Sequence, residues 1–259
     1  GFLFSYGGYV FGDGGFDTTD IGFSAGDAYK GAYILRQLAS VMNQDCIDDT
    51  ITVNAYSMLG NGTYFATMTT PDVYTLFLDE LAKEYMRTEK LTEDAAYAKA
   101  KENLVVADIP KLPASGDLED RDGEMVDSVM MGGVNGYAIS TYTKAPNAAL
   151  AFVNFATSYE MISRRNELLG IAPAREDVAA QVGGLSETIN NNLMAGRIAV
   201  MPSTKAVAQI WTPAQTFFSD LAKDPFRLPG EQKYLTDEAL QKGLEKVDEQ
   251  IYSAIHTLN

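Results

Sequence analysis

The sequence predicts an α/β protein, because runs typical of short strands alternate along the chain with runs typical of helices. The strand-like runs are β-prone or apolar and contain or adjoin glycine or proline, as at 63–69 and 129–140. The helix-like runs repeat apolar residues at every third or fourth position, most regularly between 240 and 258. A chain of 259 residues has room for one large domain or for two lobes.

The N-terminal part predicts a hairpin followed by a helix. The segment 7–23 is rich in glycine, aspartate and aromatic residues, which is typical of short strands joined by glycine turns. Ser24 has the position of a helix N-cap, and Ala28, Gly31 and Leu35 follow it at helical spacing. We therefore expect a helix of about four turns after the hairpin.

The middle of the chain predicts a strand, two helices and a second strand. After the β-prone run 63–69, a Thr-Pro-Asp sequence at 70–72 provides an N-cap, a proline at the first helical position and an acid in the first turn. This helix is expected to run to about residue 87. A second helix is expected at about 92–102, before a buried-looking strand at 104–107.

The second half predicts two short strands and then mainly helices. Gly132 and Gly133 interrupt the apolar segment 129–140, which indicates a hinge, a close approach to a ligand or a simple turn. Ser203 has the position of an N-cap, and Pro213 predicts a kink in the helix that follows. The other helices are expected at about 146–158, 160–169 and 186–195, and from Thr236 onwards.

The charge of the chain excludes some partners. With 35 acidic against 20 basic residues, the formal net charge is −15. Such a surface repels phosphate backbones, so we expect no nucleic-acid partner. Anionic ligands are disfavoured for the same reason, and a neutral ligand fits best.

The residues that most catalytic and zinc sites require are scarce. The chain has one cysteine, Cys46, and one histidine, His256, whereas triads and zinc sites need histidine near other functional groups. Asp13, Asp17 and Asp20 look superficially like a calcium loop, but their spacing departs from that of an EF-hand and favours a solvated hairpin. We therefore predict no enzyme, no catalytic residue, no cofactor and no metal site.

Three stretches, taken in order, resemble the maltose-binding-protein type of solute-binding protein. The first is the Gly-Gly-aromatic hairpin of 7–23, which precedes a helix. The second, 136–174, contains a strand, a Ser and Lys pair, a helix with a phenylalanine ridge, and a Gly-x-x-Pro sequence. The third is Met201-Pro202, followed nine residues after the proline by Trp211. The set covers essentially the whole chain and is more specific than any one of its motifs.

This resemblance implies a two-lobed, type II periplasmic-binding-protein fold that lacks its N-terminal part. Residues 1–135 and 185–259 would form most of the C-terminal lobe, and 136–184 would belong to the N-terminal lobe. It also implies an extracytoplasmic receptor, in the periplasm or on the cell surface as a lipoprotein. Such a receptor binds a sugar or oligosaccharide without changing it and delivers it to the permease subunits of an ABC transporter. Any contact with the membrane would be through a lipid anchor outside this chain.

The resemblance also identifies candidate sugar-binding residues. A tryptophan at the spacing of Trp211 stacks on sugar in the maltose receptor, and packing in the core is the alternative. Where the family often has Gly-Pro-Trp, this chain has Asp72, which fits either sugar hydroxyls or the helix dipole. Tyr74 replaces the missing aromatic ring or packs in the core. Tyr6 and Tyr9 flank Gly7-Gly8 and either line a cleft or fill the hairpin core.

Two other classes of protein stay open on the sequence alone. A glycoside hydrolase needs two carboxylates that face each other across a sugar, and none of the 35 acids stands out as a pair. A structural or adhesion module would bind no sugar at all. If the fold is incomplete, the apolar ridge that includes Phe152 and Phe155 lacks partners, which favours weak sugar binding and association with another copy.

Overall fold

The computed structural model describes residues 1–42, 47, 57–70, 73–133 and 135–256. In chain order, the helices are α1 (Phe2–Ser5), α2 (Gly12–Gly15), α3 (Ala28–Val41), α4 (Tyr74–Glu89), α5 (Glu93–Asn103), α6 (Pro146–Ala156), α7 (Tyr159–Leu169), α8 (Glu176–Ala179), α9 (Gly184–Met194), α10 (Trp211–Lys223) and α11 (Asp237–His256). The strands are β1 (Asp17–Ile21), β2 (Leu112–Pro113), β3 (Met125–Val126), β4 (Met130–Gly132) and β5 (Ile198–Val200). Two short 3-10 helices span Lys205–Gln209 and Asp224–Phe226.

The chain divides into two compact units. Unit 1 contains Gly1–Asp48, Ile109–Val134 and Ala195–Asn259, and unit 2 contains Asp49–Asp108 and Asn135–Met194. The predicted lobes have a boundary at nearly the same place, 135–136, but they group 49–108 with the preceding residues, whereas the compact units group 49–108 with Asn135–Met194. The assignment of these units to the lobes of a receptor stays a prediction.

The strands of unit 1 are short and pair in twos. In β2 and β3, which are antiparallel, Leu112 lies opposite Val126. In β4 and β5, which are parallel, Met130 lies opposite Ile198. The predicted N-terminal hairpin is present, because isolated antiparallel bridges join Phe11 to Ile21 and Gly12 to Asp17. Helix and strand are therefore mixed, as the predicted fold class requires.

Three predicted strands are wrong, and one of them is the second strand of 129–140, because Met130–Gly132 is the only strand among the described residues of that segment. The described residues of 63–69 and 104–107 form no strand, and Val105 is 81% exposed rather than buried. A β-prone run becomes a strand only when a neighbouring strand satisfies its backbone and its side chains pack on a surface. The helix predicted after residue 70 does form, as α4, although its first described residue is Tyr74.

The helix predicted from Ser203 begins later than expected. Lys205–Gln209 is a 3-10 turn, and α10 starts at Trp211. Pro213 therefore lies in the first turn of α10, where its missing N–H has no helical partner to lose, and the predicted kink does not follow.

The core of unit 1 lies between three helices. α11 contributes four residues at helical spacing, Leu240, Leu244, Val247 and Ile251, none more than 1% exposed. They belong to one apolar cluster with residues of α3 and α10, including Ala28, Ala32, Phe217 and Leu221. The periodicity of the C-terminal sequence therefore marks the face that packs inward.

In unit 2, α4 and α5 pack against each other through small and aliphatic side chains. Leu78 and Ala82 of α4 meet Ala96 and Ala100 of α5 in a second apolar cluster. Across the described part of the chain, no helix combines the length and the apolar character that a membrane crossing requires.

Candidate functional site

The predicted ligand-binding residues fall in different parts of the chain. Tyr6, Tyr9, Gly132, Gly133 and Trp211 belong to unit 1, and Tyr74 belongs to unit 2. The seventh candidate, Asp72, lies outside the described residues. Of the candidates in unit 1, one lies in the core, one lines a cleft, two follow Met131, a residue of that lining, in the sequence, and one lies at a half-exposed helix terminus.

An open cleft of about 500 Å³ lies within unit 1, between the N-terminal hairpin and the β4–β5 pair. Its walls combine aromatic rings, carboxylates and glycine-rich backbone. Six of the side chains that line it are Phe4, Tyr9, Asp13, Asp20, Met131 and Pro202. Apolar walls with a few polar groups are the usual composition of a small-molecule site.

Tyr9 is held in one position at this cleft. Its backbone N–H donates to the carbonyl of Gly22 at 2.9 Å, and its hydroxyl donates to Oδ1 of Asp20 at 2.6 Å. A Cβ atom at Gly22 would lie 2.4 Å from the ring of Tyr9, so the ring lies against a position that only glycine permits. The hydrogen bond to Asp20 raises the pKa of Tyr9 to about 12, with smaller contributions from burial and from the charges of nearby carboxylates. The phenol therefore remains a neutral donor at physiological pH.

A carboxylate from the far end of the chain fixes the turn beneath Tyr9. Asp248 of α11 accepts the backbone N–H groups of Phe23 and Ser24 at 3.0 and 2.9 Å, and the Ser24 hydroxyl at 2.6 Å. Burial raises the pKa of Asp248, although the three hydrogen bonds oppose that shift. Ser24 is thus not the N-cap predicted from the sequence, because its hydroxyl donates to Asp248 and α3 begins at Ala28.

Tyr6 belongs to the core rather than to a surface. Its ring is 8% exposed and packs with Ile34 and Leu112. Its hydroxyl donates to the carbonyl of Pro113 at 2.6 Å, which satisfies the polar end of a buried tyrosine. Of the two roles left open for Tyr6, the structure favours packing in the core, and the expected ligand contact is not supported.

Packing against the paired strand explains why glycine occupies position 132. It is the last residue of β4, and a Cβ atom there would lie 2.4 Å from Cγ2 of Ile198 on the paired strand. Its carbonyl accepts the N–H of Met201 at 2.9 Å. Gly133, the next residue, is exposed and has only an ordinary contact to Met201. Neither glycine needs a ligand to explain it, so their predicted role at a binding site stays a prediction.

Trp211 lies at the start of α10 with its indole half exposed. Its side chain is 48% exposed, while the preceding Ile210 is 2% exposed and Phe217, further along the same helix, is 7% exposed. Val207 and Ala214, which lie at helical spacing from Trp211, pack against the apolar cluster. The core is therefore filled by other side chains, and about half of the surface of Trp211 remains open to solvent.

Tyr74 lies at the start of α4 and is half-buried. It packs against the apolar cluster of α4 and α5, and a Cβ atom at Gly170 would lie 3.9 Å from its ring. These contacts favour core packing for Tyr74 over the expected ligand contact.

The three hairpin aspartates make separate contacts and do not form a metal-binding group. Asp17 accepts both the N–H and the hydroxyl of Thr19, at 2.9 and 2.6 Å, which closes a local turn. Asp20 accepts the hydroxyl of Tyr9. Within the residues that the structure describes, no three acidic, histidine or cysteine side chains are grouped so that they would hold a metal ion.

Known proteins that are similar to this chain include a maltodextrin-binding protein and a maltose-binding protein, although no family model matches the chain. The maltodextrin-binding protein MdxE of Bacillus subtilis is 24% identical over 226 residues, which are 86% of this chain and 47% of that protein. The maltose-binding periplasmic protein MalE of Listeria monocytogenes, solved in complex with maltose, superposes with a TM-score of 0.61 and 18% identity. That match covers 99% of this chain and 57% of the solved chain.

The chain thus spans about half the length of the proteins that it matches. The structural match shows that it has the fold of part of a maltose-binding periplasmic protein, which is a partial type II periplasmic-binding fold. The resemblance inferred from the sequence motifs is therefore confirmed: this chain is similar to sugar-binding proteins of the maltose-binding type in both sequence and fold.

Proposed function

We propose that this chain acts in the substrate-binding receptor of an ABC importer, which binds a sugar or oligosaccharide in a cleft between two lobes and delivers it to a membrane permease. Its similarity to a maltodextrin-binding protein and its fold, shared with a maltose-binding protein, support this class. A receptor of this kind works outside the cytoplasm, in the periplasm or at the cell surface. Closure of the lobes around the ligand would be the signal that the permease reads.

The half-exposed indole of Trp211 is the observation that carries the proposal. A sugar ring presents C–H faces that pack on an aromatic face, while its hydroxyls remain hydrogen-bonded at the edge. Trp211 lies at the start of a helix, is 48% exposed and is not part of the buried core, so it is available for such a contact. Because both similar proteins are named for binding, we propose that this chain binds its sugar without changing it.

Calorimetry with maltose and maltotriose tests the role of Trp211. The Trp211→Ala variant should weaken binding by about 1–3 kcal/mol, the loss expected for one well-placed aromatic contact. Tyr252→Ala is a matched control, since Tyr252 is an aromatic residue of unit 1 with 47% exposure, at a helix position that the proposal does not use. Equal sugar affinity of folded Trp211→Ala and of the unmodified chain would remove Trp211 from the site.

A product assay separates the receptor from a glycoside hydrolase. We expect maltotriose to be recovered unchanged after long incubation with the pure protein. Release of shorter sugars that stops when a single carboxylate is replaced would show hydrolysis and overturn the proposal. A thermal-shift screen against a sugar panel tests binding in general, because a ligand of the native state raises the melting temperature.

A further inference from the structure

In the cleft between the N-terminal hairpin and the β4–β5 pair, which we name the Tyr9 cleft, all charged side chains that the structure describes are negative. Asp13 and Asp20 line the cleft, and no lysine, arginine or histidine does so among the described residues. The rest of the lining is aromatic, aliphatic or glycine. Such a cleft offers hydrogen-bond acceptors and aromatic faces but no cationic donor.

The geometry around Asp20 leaves part of its carboxylate available. Oδ1 accepts the hydroxyl of Tyr9, and no protein donor to Oδ2 is found in the described part of the chain. Oδ2 lies beside Gly12, where a Cβ atom would come within 2.2 Å of it. Glycine at this position lets the hairpin backbone approach the exposed carboxylate of Asp20 closely.

The electrostatic surroundings of Tyr9 agree with this picture. Beyond the hydrogen bond to Asp20 and burial, the charges of Asp20, Asp248 and Asp17 each raise the pKa of its phenol. Asp20 and Asp13 are the acidic residues of the cleft lining, and they make its wall beside Tyr9 negative. A negative field beside aromatic rings attracts a cation, through ion pairing and through contact with the ring faces.

We propose that the Tyr9 cleft selects sugars by charge and takes an amino sugar, whose ammonium group pairs with Asp20 while its ring packs on Tyr9. A neutral sugar fits the same cleft more weakly, and a sugar acid is rejected by the two carboxylates. This inference rests on the proposed function as a sugar receptor, but it concerns the Tyr9 cleft within unit 1, which Trp211 does not line.

Three monosaccharides provide the test, because two of them each differ from D-glucose at one carbon. D-glucosamine, D-glucose and D-glucuronate are titrated into the protein at low ionic strength and at a mildly acidic pH that keeps the amine protonated. We expect glucosamine to bind about three- to tenfold more tightly than glucose, which is the range for one charged hydrogen bond at a partly exposed site. Glucuronate should bind more weakly than glucose, and raised salt should reduce the preference for glucosamine.

Asp20→Asn identifies the residue responsible. Asparagine keeps an oxygen that accepts the Tyr9 hydroxyl, so the variant removes the charge with little change in shape. Glu231→Gln is the matched control, because it removes one charge from an exposed residue of unit 1 that does not line the cleft. The preference for glucosamine should disappear in Asp20→Asn and persist in Glu231→Gln.

The outcomes distinguish this inference from the proposed function. Equal binding of the three monosaccharides, or a glucosamine preference that survives in Asp20→Asn, overturns the charge selection even if maltotriose still binds in a Trp211-dependent way. If no sugar of any kind binds, the receptor proposal fails and this inference fails with it.

Discussion

Helices α11 and α6 arrange their apolar residues differently, and the exposure of those residues differs as well. In α11 of unit 1, apolar residues form one stripe among charged ones, and Leu240, Leu244 and Ile251 are completely buried. In α6 of unit 2, Leu150, Phe152 and Phe155 are between 50% and 59% exposed. No charged residue occurs anywhere in α6.

The difference shows how burial depends on the number of faces that a helix must cover. A helix with one apolar stripe is satisfied when a single side packs on the core, as α11 is. α6 has no charged residue and two polar ones, Asn147 and Asn154, so most of its faces are apolar, which is typical of an element buried on several sides. The buried residue of α6 is Ala156, at its last position, so most of its apolar surface faces solvent.

The two units also differ in how they use charge. In unit 1, the completely buried Asp224 accepts from Arg36 at 3.0 Å and Arg227 at 2.7 Å, and from the N–H of Lys233 at 2.7 Å. In unit 2, pairs such as Arg175 with Asp177 are largely exposed. A buried, fully bonded carboxylate fixes the elements around it, whereas an exposed pair contributes little to stability.

The same substitution in both units tests the comparison most directly. Phe217→Ala should lower the free energy of unfolding by about 3–5 kcal/mol, because it empties a packed site in the core of unit 1. The ring of Phe217 is 7% exposed and meets Phe218 and Tyr234 edge to face at 5.2 and 5.4 Å. Phe155→Ala in unit 2 should change the unfolding free energy by less than about 1 kcal/mol, since its ring is already exposed.

Urea denaturation followed by circular dichroism measures both variants. Fluorescence of Trp211, the only tryptophan, reports unit 1 separately. Similar losses of stability for the two phenylalanines would mean that Phe155 is packed in solution, and the contrast between the units would be wrong.

Removal of the buried charge of Asp224 should lower the free energy of unfolding by a similar amount. Asp224→Asn leaves two guanidinium groups facing a neutral amide, and breaking a buried pair in this way costs about 3–5 kcal/mol. Glu238→Gln, which breaks the exposed pair with Lys242 on α11, is the control and should leave the urea midpoint unchanged.

The pH dependence of stability provides a second test of Asp224. Burial alone would raise the pKa of this carboxyl, but its hydrogen bonds to Lys233, Arg36 and Arg227 outweigh burial and lower it. A folded pKa below the unfolded one means that the stabilisation is complete above the unfolded pKa and is lost as the pH falls through the folded one. The unmodified chain should therefore lose stability below roughly pH 5, and Asp224→Asn should lose less over that range. Parallel curves for the two proteins would show that Asp224 does not titrate as described.

The two tyrosines of the hairpin show what the sequence can and cannot predict. Tyr6 and Tyr9 flank the same glycine pair, and local sequence does not distinguish them. Their roles are decided by partners elsewhere: the carbonyl of Pro113, 107 residues away, holds Tyr6, and Asp20 across the hairpin holds Tyr9. Asp248, which lies more than 220 residues from the turn that it fixes, has no local signal at all.

Helices with a regular apolar repeat were predictable because their signal is local in the sequence. The apolar stripe of α11 depends only on residues within the helix, and it identifies both the element and its buried face. The run at 104–107 had the right composition for a strand but has no paired strand in the structure, and composition alone does not supply one. The order of the motifs identified the resemblance, whereas the contacts of individual site residues depend on partners that lie far away in the sequence.

Two separate glycine substitutions test the close packing of unit 1, and their expected effect on stability is smaller. A Cβ atom at Gly31 of α3 would lie 2.5 Å from the carbonyl oxygen of Phe2, so Gly31→Ala forces α1 and α3 apart. We expect a loss of about 1–3 kcal/mol despite the better helix propensity of alanine. Gly136→Ala in unit 2 is the control, because no atom lies within 4 Å of that Cβ position. Thermal unfolding should separate the two variants, and a Gly31→Ala protein as stable as its parent would show that α1 is not packed on α3 in solution.

The substitution with the smallest expected effect on stability provides the sharpest test of the exposed face in unit 2. Replacing Phe152 and Phe155 by serine removes two rings that are 57% and 59% exposed, so folding should be little changed. Association should change clearly, because α6 offers another copy an apolar surface without charge, while the net charge of −15 repels copies elsewhere.

Light scattering across a concentration series measures this. The unmodified chain should exceed its monomer mass of 28.2 kDa as concentration rises, and added salt should strengthen association by screening the repulsion. The double serine variant should stay monomeric under both conditions. Strictly monomeric behaviour of the unmodified chain at high salt would mean that the exposed face of α6 does not drive association. The contrast between the units would then be one of packing alone.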